Sequence, residues 1–94
     1  MRIEFDPEKR RRTLDERGLD FRDGVHVFAG EKFTFQDLRK DYGEPRFITI
    51  GSLDGRIAVV GWTPREKDGD PICRVYSMRK ANEKEIARLQ ERLR

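Results

Sequence analysis

Two runs of this sequence set cations beside aromatic rings at the ends of apolar stretches. One is Arg56-Ile-Ala-Val-Val-Gly-Trp-Thr-Pro-Arg65, and the other is Ile72-Cys-Arg-Val-Tyr-Ser-Met-Arg-Lys-Ala81. Trp62 shortly precedes Arg65, and Tyr76 shortly precedes Arg79. Arg74, Arg79 and Lys80 stand between Pro71 and Ala81 with no acid among them. Guanidinium forks engage phosphate oxygens bidentately and ring faces stack on unpaired bases, so the pattern suits a phosphate backbone with exposed bases. The competing role for Arg65 and Arg79 is pairing with surface acids such as Glu66 or Asp70.

Further basic groups lie upstream. Lys9, Arg10, Thr13 and Arg17 fall on neighbouring positions of one helical face, with Leu14 at its edge. Lys9 could act as a base only where burial or nearby cations lower its pKa; otherwise it is a solvated lysine. Arg17 supplies charge but cannot act as a base at neutral pH. The block Arg10-Arg11-Arg12 reads as solvated helix surface that adds at most a salt-sensitive attraction to RNA. His26, the only histidine, lies between Val25 and Val27 and reads as structural or solvent-facing. Alternation puts Trp62 with Ala58 and Val60, which is core packing. Tyr76 shares a face with Ile72, Arg74 and Met78, and either a base or the core could take its ring. Cys73 reads as a small buried hydrophobe. One Cys and one His assemble neither an internal disulfide nor a zinc site, so no metal and no cofactor is expected.

These side chains need a scaffold. Residues 2–5 alternate like a short strand. Asp6-Pro7 then predicts a helix start, with Gly18 as its stop. Residues 19–28 predict a second short helix capped by Asp20, with Phe21, Val25 and Phe28 as its core stripe. Residues 32–38 and 46–53 read as strands around a charged loop, and Asp54-Gly55 is a hairpin turn into a strand over 56–63. Residues 64–71 read as a polar connection and 72–78 as the last strand. Asn82-Glu-Lys-Glu85 resembles a capping box, after which Ile86, Leu89 and Leu93 mark one stripe of a terminal helix. The predicted fold class is α+β, in the order β-α-α-β-β-β-β-α. It has an antiparallel sheet with helices on one side and its other face left open.

The chain has 94 residues, which bounds it to one domain over 1–94 with one modest core. Charged residues make up 41% and hydrophobic ones 35%, yet the apolar residues cluster in runs, as a folded chain requires. The net charge of +3 is low for a protein whose only task is nucleic-acid binding. No signal peptide, transmembrane stretch or lipid-anchor motif is present, and a reducing cytoplasm is the expected location with no membrane partner.

Five pieces then recur in order: Asp6-Pro-Glu-Lys9, Gly18-Leu-Asp-Phe21, Asp41-Tyr-Gly-Glu-Pro-Arg-Phe-Ile-Thr-Ile-Gly51, Trp62-Thr-Pro-Arg65 and Arg74-Val-Tyr-Ser-Met-Arg79. Together they resemble the BrnT family of type II toxin–antitoxin toxins over nearly the whole chain. The resemblance implies a RelE/ParE-like fold with a curved antiparallel sheet and a ribonuclease that arrests translation. It also implies a neighbouring BrnA-like ribbon-helix-helix antitoxin, with operator DNA reached only through the toxin–antitoxin complex. Lys9, Arg65 and Arg79 stand where the family's basic active-site residues are expected. Many members carry Lys-His before the glycine that ends the first long helix; here those positions are Glu16-Arg17.

Metal-independent RNA cleavage turns the 2′-hydroxyl on its own phosphate, and fixed cations stabilise the charge that develops. On this reading Lys9, Arg65 and Arg79 are the catalytic candidates. Arg10, Arg17, Arg46, Tyr76 and Lys80 are the candidate RNA contacts. The Glu16-Arg17 departure keeps open a second reading, a catalytically inactive module that binds an antitoxin in operon repression. A plain RNA- or DNA-binding domain is the third.

Overall fold

The Asp6 side chain accepts the Glu8 amide at 3.0 Å and Pro7 opens the first helix, α1 (Pro7–Arg17). Gly18 closes it at φ 68°, its N–H on the Leu14 carbonyl. The computed structural model describes residues 2–94. Before α1 comes β1 (Arg2–Glu4); after it a 3-10 turn (Phe21–Asp23) runs into α2 (Gly24–Ala29). Then follow β2 (Lys32–Gln36), β3 (Phe47–Leu53), β4 (Arg56–Lys67), β5 (Asp70–Lys80) and α3 (Glu83–Arg92).

The strand order is β1-β5-β4-β3-β2. Strands β2 to β5 form an antiparallel meander, but β1 pairs parallel to β5, with Arg2 opposite Ile72 and Glu4 opposite Arg74. The sheet is therefore mixed, and the expectation of antiparallel pairing throughout fails at its first strand. A parallel pair needs a long connection, and everything from α1 to β4 supplies it.

Helices cover both faces, which corrects the expectation of one open face. Val27 and Phe28 of α2, with Phe21, pack on the side of Leu53, Ala58, Val60, Val75 and Met78. On the opposite side Leu89 of α3 packs with Ile50 and Val59, flanked by Phe33, Phe35 and Ile48. Alternation along β3 and β4 feeds both cores, since successive residues point to opposite faces. The expected stripe of the second helix shifts as well. The segment opens as a 3-10 turn capped by Asp20, so Val27 rather than Val25 is fully buried. Helix α1 buries no residue and is held at the sheet edge instead.

The polar connection expected at 64–71 is strand. Both β4 and β5 continue to an Asp68-Gly69 turn, with φ of 52° and 84°. The β3 ladder stops at Phe47 opposite Trp62, so beyond that point β4 has no neighbour on its β3 side and Pro64 breaks no bond there. A bulge between Gly61 and Trp62 sets Gly61 opposite Ser77 and Trp62 opposite Val75, leaving Tyr76 as the extra residue. It breaks the alternation that would put Tyr76 with Met78. Val75 and Met78 both enter the core, and the Tyr76 ring turns toward the α3 side, over Gly61.

Candidate functional site

The bulge is what places Tyr76. Its displaced ring lies so close to Gly61 that a β-carbon there would sit 2.9 Å from two ring carbons. Only glycine allows the ring to lie flat on the strand. The Arg46 guanidinium stands over this ring at 4.5 Å from its centroid, and over the Tyr42 ring at 4.3 Å. Arg46 Nε and the Tyr76 hydroxyl are shielded from solvent and have no hydrogen-bond partner among the described residues. Burial pushes the Tyr76 phenol up, so at neutral pH it is a proton donor and not a base.

Loop 37–46 carries the next group. Its neck is closed by the Asp37 amide on the Arg46 carbonyl at 2.7 Å. The Thr63 hydroxyl donates to the Pro45 carbonyl at 2.6 Å. Inside the loop the buried Asp37 carboxylate accepts from Arg39 Nε at 2.9 Å, Arg39 Nη2 at 2.8 Å and the Tyr42 hydroxyl at 2.9 Å. The Arg39 bonds, ahead of a smaller opposing effect of desolvation, hold this carboxyl well below the ordinary carboxylate range. Glu44 serves two cations, Arg65 at 3.1 Å and Arg46 at 3.5 Å.

The α1 face meets β5 beside these groups. Lys9, Arg12, Thr13, Glu16, Arg17, Tyr76 and Ser77 line an open hollow of about 280 Å³. Arg17 Nη1 donates to the Met78 carbonyl at 2.9 Å, which ties the end of the helix to the strand.

Arg79 faces the other way along β5. Glu85, the N3 residue of α3's capping box, takes its guanidinium bidentately at 2.8 and 2.7 Å. This pairing raises the Arg79 pKa and lowers that of Glu85. Arg79 lines a second hollow, of about 390 Å³, with Phe35, Asp37, Leu38, Arg39, Ile48 and Glu85.

The candidates named from sequence are therefore distributed. Lys9, Arg17 and Tyr76 share one hollow, with Arg46 stacked on Tyr76. Arg65 joins Arg46 through Glu44, but lines a separate, apolar hollow with Trp62, Pro64 and Pro71. Lys9, Arg65 and Arg79 do not gather round one phosphate-sized hollow. Arg10 is committed to Asp20 by bonds of 2.8 and 2.9 Å and fastens α1 to the turn below it. Lys80 is exposed at the end of β5, opposite Ala58. His26 is exposed on α2, while Trp62 packs against Phe28 and Phe47 and Cys73 is buried. Sequence reasoning missed Asp37, Arg39 and Tyr42. Tyr42 and Glu44 stood in a quoted motif, but nothing in the sequence says that a loop acid would fix an arginine two residues on.

From α1 to α3 the charged and ring groups form a linked series: Lys9 and Arg17, Tyr76, Arg46, Tyr42, Asp37, Arg39, Arg79. Cations interleaved with ring faces are the groups by which single-stranded polyanions are held in general. The chain belongs to the BrnT family, the ribonuclease toxins of type II toxin–antitoxin systems, whose family model matches residues 5–85. A type II family implies an antitoxin as partner. No curated protein matches the chain. Among the described residues no helix is long and apolar enough to cross a membrane, and no three His, Cys, Asp or Glu side chains gather to hold a metal ion.

Proposed function

We propose that this chain is an endoribonuclease toxin that cleaves RNA without a metal, by attack of a 2′-hydroxyl on the adjacent phosphate, and so inhibits translation. The observation that carries the reading is the hollow between α1 and β5. It sets Lys9 and Arg17 beside Tyr76, with Arg46 stacked on the Tyr76 ring and two donors there left without protein partners. Lys9 and Arg17 hold the scissile phosphate, and Arg46, oriented by the Tyr76 ring, supplies fixed charge as the 2′-oxygen, its proton released to water, bonds to phosphorus; the P–O5′ bond then breaks and the leaving 5′-oxygen takes a proton from water. Arg65 and Arg79 stabilise charge on flanking phosphates, with Lys80 and Arg10 as outer electrostatic contacts. The whole of 1–94 acts as one RelE/ParE-like toxin domain in the cytoplasm. Its neutralising partner is a BrnA-like ribbon-helix-helix protein, and operator DNA is met only through that complex.

The test is cleavage of a defined RNA by purified protein in excess EDTA, with product ends identified. Cyclic 2′,3′-phosphate ends and growth arrest on expression are expected. Arg46→Ala lowers the cleavage rate about 100-fold, the scale of one fixed charge-stabilising donor. Intact RNA with folded protein, or activity abolished by EDTA, overturns the mechanism. One observation favours a second reading, an inactive antitoxin-binding module. Arg17, Arg65 and Arg79 are each engaged by protein acceptors. Tight antitoxin binding by a chain that leaves RNA intact would select it.

A further inference from the structure

The hollow between loop 37–46 and α3 lies outside the cluster assigned to bond cleavage, and its construction is specific. Two arginines line it, and each is held by a carboxylate that belongs to the same lining and is itself well covered. Asp37, with a side chain only 2% exposed, holds Arg39, and Glu85, at 15%, holds Arg79. The two arginine side chains stay accessible, at 78% and 45%. Each carboxylate accepts from two nitrogens of its guanidinium, and Arg79 Nη1 also donates to the Lys80 carbonyl at 3.2 Å, which fixes the orientation and leaves Arg39 Nη1 and Arg79 Nε without an acceptor among the described residues. Arg39 and Arg79 line the same hollow. The rest of the lining is Phe35, Ile48 and Leu38, the last 78% exposed, together with Gln36 and the two carboxylates themselves. At about 390 Å³ the hollow falls within the size range of small-ligand sites.

We infer that this hollow is a nucleotide subsite, in which Arg39 and Arg79 hold one RNA phosphate and Phe35, Ile48 and Leu38 take the neighbouring base. The inference rests on the proposal that RNA is the substrate, and it adds a site to it. The subsite binds a nucleotide some distance along the strand from the bond that is cut. Arg39 is a binding residue, and Asp37 is the positioning residue behind it. Two arginines beside an apolar floor match a phosphate with an attached base, since single strands are held by cation tracks and flat apolar contacts. An acidic segment of the antitoxin would satisfy the arginines and leave the floor without a role.

The experiment measures binding of a fluorescent 12-nucleotide 2′-O-methyl RNA, which cannot be cut by 2′-hydroxyl attack, to the full chain across a salt series. The same is done for Arg39→Ala and Leu38→Glu. Leu38→Glu leaves the Asp37–Arg39 pair intact, so it remains informative if loss of Arg39 loosens the loop. Affinity falls about tenfold or more in both variants, and Arg39→Ala lowers the salt slope by about one. Cleavage of a dinucleotide, too short to reach the subsite, is unchanged in Leu38→Glu. Unchanged oligonucleotide affinity in folded Leu38→Glu and Arg39→Ala proteins overturns the inference. So does weakened antitoxin binding with RNA affinity intact. A wild-type chain that cuts no RNA but still loses oligonucleotide affinity on Arg39→Ala refutes the catalytic proposal and leaves the subsite standing.

Discussion

Tyr76 owes its position to a residue with no side chain. Gly61→Ala would drive a methyl group into the Tyr76 ring at 2.9 Å and the Ser77 hydroxyl at 2.5 Å, and bulged backbone leaves neither much room to move. Overpacking of this kind costs about 1–3 kcal/mol. The expected outcome is a lower denaturation midpoint, together with loss of the ring stack that shields Arg46. Urea melts and the tyrosine near-UV signal check both. Arg65 and Arg79 could be singled out in the sequence by their type and by the aromatic shortly before each, whereas Arg39 could not. Nor could their partners. Glu44, Glu85 and Asp37 are ordinary surface acids on paper, and only folded geometry shows each one orienting a guanidinium. The pairing of Arg10 was hidden for the same reason, since its bonds to Asp20 depend on how α1 meets the turn at Phe21–Asp23.

Among the elements, α3 is the most lightly held for its importance. Leu89 is its one buried residue, yet the helix carries Glu85 to Arg79 and stacks Arg88 and Arg92 over Phe33 and Phe35. Leu89→Ala is expected to cost about 2–5 kcal/mol, as for a leucine removed from a packed core. Amide exchange in Glu83–Arg92 should accelerate ahead of exchange in β3 and β4. Most elements could be read directly: α1 from its Asp-Pro start and Gly stop, the β3–β4 hairpin from Asp54-Gly55, and α3 from its capping box. The Asp68-Gly69 turn carried the same signal. Pro64 and Pro71 masked it, because proline argues against strand except where a ladder has ended. The bulge and the parallel pairing of β1 have no local signal, since each depends on a partner far along the chain.

For the molecule as a whole, carboxylates tied to arginines set the response to acid. Asp20 is held below the ordinary range chiefly by Arg10, Asp37 by Arg39 and Glu85 by Arg79. A carboxyl depressed in the folded state contributes its full stabilisation above the unfolded value of about 4 and loses it as pH falls toward the folded value. Stability should therefore be level from pH 7 to about 5 and drop steeply below about 4. Asp37→Asn should flatten that acid limb while lowering the plateau, and melting temperatures across a pH series test both parts.

The edge strand has a consequence in time. Residues 2–4 are synthesised before α1 to β4, and their ladder partners, 72–74, only after them. Until then the strand edge along which α1 lies does not exist, and the hollow built from Lys9, Arg17 and Tyr76 has only one wall. A nascent polypeptide thus carries every basic residue of α1 and none of the assembled surface. The fold itself delays maturity until translation of the last strand is complete.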